Sequence, residues 1–302
     1  MKRKATVARE SSVADLLKKM HRLRLKTRGR VRELFGGSYS SCFRGQGMDF
    51  DDFRIYEPGD EIRSIDWNVT ARQGEPYVKQ FIEERELAVY LAMDISASGD
   101  FGSGQESKRE WMTEVAALVA FSAARNQDKV GLLLFSNGLD LFVPPRKGGN
   151  HLARLLREML ARRPKPGPTR VDAALHPLAH WVKKRSLVFL LSDFISEDFT
   201  RALRTVSQRH DLIAVQVLDP VEENLPAVGR VRMHDPETGR QRLVATSRAD
   251  LQAAYRRERA QWQEELDAKF RRLAVDKLLL PTGEDFLPKL HAFFKGRARQ
   301  GR

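Results

Sequence analysis

The apolar positions along this chain change character near residue 85. Beyond it, short and nearly continuous apolar runs alternate with longer stretches of helical spacing. Residues 87–93, 129–135, 139–143, 186–191, 212–218 and 275–280 read as strands, and 106–126, 150–163, 170–184, 197–208, 248–272 and 286–295 as helices. Strands that are apolar on both faces must be covered on both faces. Six of them, alternating with helices except between 129–135 and 139–143, predict a doubly wound α/β domain with a mainly parallel sheet, in the order 3-2-1-4-5-6. Residues 228–233 and 240–245 flank the turn sequence Asp235-Pro236-Glu237-Thr238-Gly239, which predicts a hairpin and makes 221–247 an insertion.

Upstream the pattern differs. Leu16, Leu17, Met20 and Leu23 recur at helical spacing among basic residues, so 1–35 reads as a basic N-terminal helix or tail. Residues 36–84 are rich in turn formers and suggest short strands and loops, followed by the large domain over 85–296 and a basic tail over 297–302.

The formal charge is +13, and residues 1–35 alone carry twelve Lys or Arg against three Asp or Glu. Such ends can neutralise phosphates, which keeps binding to nucleic acid or another anionic surface as an alternative function. No apolar run is long enough to cross a bilayer, and the one cysteine, Cys42, allows no intrachain disulfide. Both features lead to the expectation of a cytoplasmic protein.

Candidate chemistry gathers where the predicted strands end. Asp94-Ile95-Ser96-Ala97-Ser98 follows the first strand of the domain, and Asp193 follows the strand over 186–191. Ligand crevices in open α/β sheets lie beyond the carboxyl ends of the strands. A turn there aims Asp94, Ser96 and Ser98 at one point, with Asp193 facing them and Thr169 adding a loop hydroxyl. Hard oxygen donors of this kind suit Mg²⁺, with Mn²⁺ and Ca²⁺ as alternatives. The competing reading has Ser96 and Ser98 simply capping the following turn and Asp193 capping a helix. A metal-dependent phosphoester hydrolase would want an acid or base beside Asp94, and Ser96 is a poor one. No phosphate-binding loop, nucleophile elbow or zinc motif occurs, and His176 and His180 lack a third ligand, so no catalytic residue is assigned.

The constellation resembles the von Willebrand factor A-like fold with its metal-ion-dependent adhesion site. The resemblance implies Asp94, Ser96, Ser98, Thr169 and Asp193 as ligands and an acidic residue of a protein partner at the metal. The upstream segment is similar to the signature of the bacterial domain of unknown function 58 family. Its characteristic positions are Arg54, Tyr56, Pro58, Gly59, Asp60, Arg63, Asp66, Trp67 and Arg72. That resemblance implies a protein-interaction adaptor working with a MoxR-type AAA+ ATPase, not an enzyme. Physically, Pro58-Gly59 suits a tight turn, Asp60, Arg63, Asp66 and Arg72 are candidates for one ion-pair network, and Trp67 for an apolar anchor.

Overall fold

The computed structural model describes residues 20–23, 27, 30, 49–82 and 88–299, without the side chains of 49–52 and 79–82. Most of the predicted N-terminal helix, Cys42 and the last three residues lie outside the described residues. Residues 43–86 form a compact unit of their own, and the rest of the chain forms the other.

In the smaller unit, β1 (Asp49–Ile55) pairs antiparallel with β2 (Tyr77–Ile82). Helix α1 (Trp67–Gln73) lies between them in sequence, its first turn capped by the Asp66 carboxylate, which accepts from the amides of Asn68 and Val69. Gly59, at φ 120°, takes a turn conformation closed to other residues. The expected charge network is corrected here. Asp60 forms a two-pronged ion pair with Arg54, each contact 2.7 Å, rather than with Arg63 or Arg72, and Asp66 serves as a helix cap. Trp67 is 66% exposed, so it is no buried anchor.

The larger unit is built on six strands: β3 (Ala88–Asp94), β4 (Lys129–Phe135), β5 (Leu139–Arg146), β6 (Leu187–Ser192), β7 (Asp211–Leu218) and β10 (Asp276–Pro281). Their order, β10-β7-β6-β3-β4-β5, is the predicted one, and only β5 at the edge runs antiparallel. Strand β5 runs past Val143 through Pro144 and Pro145, which an edge tolerates because no further ladder needs their missing N–H groups.

Helices α2 (Lys108–Arg125), α3 (Gly149–Ala161), α4 (Asp172–His180), α5 (Thr200–Arg209), α7 (Ala249–Arg272) and α8 (Leu287–Arg299) account for the helical periods. A single turn, α6 (Pro220–Glu223), follows β7. Ser107 and Glu110 form a reciprocal capping box that starts α2, and the helix is buried almost all round from Trp111 to Ala123. The hairpin of β8 (Arg230–His234) and β9 (Gln241–Ala245) forms as expected.

Two basic residues of the terminal segments are structural. Arg30 pairs with the buried Glu114 of α2 at 3.0 Å. Arg297, expected in a free tail, is 4% exposed and pairs with Asp211 and Asp276 at 2.6 and 2.8 Å, because α8 continues to Arg299. No described helix is long and apolar enough to cross a membrane.

Candidate functional site

Strand register decides where the site lies. β3 and β6 are parallel neighbours with Met93 opposite Leu191, so Asp94 and Ser192 emerge side by side at the carboxyl end of the sheet. The Ser192 hydroxyl donates to Asp94 Oδ2 at 2.7 Å, and the Ser96 amide donates to Asp94 Oδ1 at 2.8 Å. A short 3-10 turn, Ala97–Asp100, folds the chain back so that the Ser96 and Ser98 hydroxyls share a hydrogen bond of 2.9 Å. Asp94, Ser96 and Asp193 are all buried.

Thr169 reaches the same end through its loop, whose next residue, Arg170, donates its amide to the Ser136 carbonyl just beyond β4. The Ser196 hydroxyl joins this loop to the one after β6, donating to the Thr169 carbonyl at 2.9 Å. Gly167, at φ 118° and packed on Asn137, allows the approach to Thr169.

The five predicted residues therefore share one rim, but they do not share one set of contacts. Thr169 is 1% exposed and gives both its amide (3.0 Å) and its hydroxyl (2.5 Å) to the carboxylate of Glu237, at the tip of the β8–β9 hairpin. Asp193 accepts from the Ile195 amide and binds the Lys108 ammonium at 2.8 Å. Lys108, itself 1% exposed, also binds Glu222 of α6 at 2.6 Å. Among the described residues, no three His, Cys, Asp or Glu side chains are gathered as a metal cluster.

Charge at this rim is unevenly compensated. Burial, and then the nearby Asp193 carboxylate, push the Asp94 carboxyl up to about 7, against the opposing hydrogen bonds from Ser192 and Ser96. Burial pulls the Lys108 ammonium down, but Asp193 and Glu222 outweigh it and the net shift is upward. Arg109 also feels Asp94 but is set back, with its guanidinium donating to the Arg162 carbonyl. Among the described residues, Asp94 thus has neutral donors and no cationic side chain bonded to it.

Sequence reading missed Ser192, Lys108, Glu222 and Glu237 as members of the rim. Lys108 did leave a signal: a lysine as the first residue of a helix opposes the helix dipole and calls for nearby carboxylates. Glu237 left none beyond its place in a turn. Of the histidines, His180 bonds the His176 carbonyl, and His151 bonds that of Val130.

Among solved structures, the chain is similar to BatB from Bacteroides thetaiotaomicron, with 12% identity over 70% of this chain and 99% of that one, at a TM-score of 0.43. It is also similar to an aerotolerance-related membrane protein from Bacteroides fragilis, with 15% identity over 71% and 99%, at a TM-score of 0.46. In sequence, an uncharacterized protein of Mycobacterium tuberculosis strain H37Rv is 31% identical over 280 residues, 92% of this chain and 88% of that protein. An uncharacterized protein of Mycobacterium avium is 29% identical over 160 residues, 52% of this chain and 94% of that protein. Residues 52–265, more than half the chain and spanning both compact units, match the family described as "Protein of unknown function DUF58". By that match the chain, with its mainly parallel α/β sheet, belongs to the DUF58 family.

Proposed function

We propose that the chain is a non-catalytic protein-interaction module whose recognition crevice is the carboxyl end of the sheet at Asp94, and that it works with a divalent cation there, Mg²⁺ first. The observation that carries this reading is Asp94 itself. It is a buried carboxylate beside a second carboxylate, pushed up to about 7, and among the described residues its hydrogen bonds come from Ser192 and Ser96. A hard cation reverses that penalty, and Asp94, Ser96 and Ser98 are the oxygen donors it would use. Asp193 and Thr169 would join once Lys108 and Glu237 yield them. Bound there, the metal would supply a fixed positive centre with room for a partner's carboxylate. No nucleophile–base pair accompanies Asp94 among the described residues, since its hydrogen-bond partners are Ser96 and Ser192.

The partner proposed from family resemblance is a MoxR-type AAA+ ATPase. Titration of the wild type with Mg²⁺ should give saturable heat and a gain in thermal stability, both absent in Asp94→Ala. Capture of the ATPase should need metal and Asp94. No response to millimolar Mg²⁺ would refute the metal, and capture that ignores both chelator and Asp94→Ala would refute the crevice as the binding surface.

A further inference from the structure

We propose that Glu237 is an internal ligand: a carboxylate of the chain itself that fills a carboxylate-binding position at Thr169 and must leave before an acidic side chain of a partner can enter. The proposal deepens the crevice reading above and rests on it.

The hairpin is built to present this one side chain. From residue 230 to 243 every residue is exposed except Val231 and Glu237. The turn is pre-formed by Asp235, whose carboxylate accepts from the amides of Glu237 at 2.9 Å and Thr238 at 3.3 Å and from the Thr238 hydroxyl. Glu237 thereby reaches Thr169 with both oxygens engaged, one on the amide and one on the hydroxyl. A backbone N–H and a hydroxyl held side by side in a buried loop form a carboxylate cradle, and such charge-assisted bonds are stronger than neutral ones. The occupied hydroxyl is the one that the crevice reading gives to the cation, so Glu237 competes with whatever binds there.

The hairpin can also let go. Two exposed strands alone are marginally stable. The base is fixed separately, by Thr246, which takes the Val228 amide and bonds the Gly229 carbonyl, and by Gln252, which bonds the Thr246 carbonyl. The tip can therefore leave Thr169 while the base stays in place. A competitor of the same chemistry, an acidic side chain, can take over both donors of Thr169 as the tip leaves.

The test compares the full-length wild type, Glu237→Gln and a control, Glu258→Gln, on the exposed face of α7. The probe is the peptide N-acetyl-Gly-Glu-Gly-amide, titrated calorimetrically in Mg²⁺ and again in chelator, with hydrogen exchange followed over 235–240. Glu237→Gln should bind the peptide at least tenfold more tightly than the wild type and the control, and peptide should speed exchange at the wild-type tip. Equal, chelator-sensitive affinity in all three proteins would overturn the internal ligand and leave the crevice reading standing. Tighter binding by Glu237→Gln that ignores chelator would uphold the internal ligand and remove the metal. No binding by any of the three would overturn both.

Discussion

Replacing Lys108 by Met tests the charge balance of the rim directly. The ammonium lies between Asp193 at 2.8 Å and Glu222 at 2.6 Å and is 1% exposed. At an effective dielectric constant of about 20, each contact alone amounts to about 6 kcal/mol of attraction, and desolvation of the buried charges consumes much of it. Removing the lysine leaves Asp193 as a buried carboxylate without its partner, whereas the Glu222 side chain, 21% exposed, can turn to water. Breaking one half of a buried pair costs about 3–5 kcal/mol. For a domain of this size that corresponds to a fall in Tm of roughly 6–20 °C. Denaturant unfolding in chelator measures it, with Lys108→Met/Asp193→Asn as the second variant. The double variant should recover most of the loss, because its buried carboxamide carries no charge. Added Mg²⁺ should restore Lys108→Met more than the wild type, since a cation can take the place the ammonium left. A loss under about 1 kcal/mol, or a double variant no better than the single one, would refute the reasoning.

Three further outcomes are expected. In chelator, Asp94 holds its proton up to about pH 7 in the folded protein but only to about 4 when unfolded, so its contribution to stability is full below pH 4 and is lost as pH rises towards 7. Asp94→Asn should therefore be more stable than the wild type at pH 8, by on the order of 4 kcal/mol, with no such gain at pH 4 in parallel urea titrations. Gly167→Ala, which places a methyl group at φ 118° against Asn137, should cost about 1–3 kcal/mol and weaken the Mg²⁺ response measured by calorimetry, because Thr169 is two residues on. Trp67→Ala should leave thermal stability within about 0.5 kcal/mol of the wild type, as the residue is 66% exposed.

The sequence by itself determined the larger unit's architecture. The run over 187–191 is apolar at every position, which suits a strand covered on both faces, and the intervening helical periods leave few ways to connect six such strands. It also placed Asp94, Ser96, Ser98 and Asp193 on one rim, since residues that follow parallel strands emerge on the same side. Tertiary structure alone decided which partners those residues take. Lys108 and Asp193 are 85 residues apart and Thr169 and Glu237 are 68 apart, so no local spacing could couple them. The same holds for the basic residues: composition counts Arg30 and Arg297 as surplus charge, whereas packing sets each against carboxylates from distant elements. In the signature segment the turn at Pro58-Gly59 was legible, because φ preferences are local. The pairing of Asp60 with Arg54 and the exposure of Trp67 were not, because hydrogen-bond partners and burial depend on which surfaces the folded chain brings together.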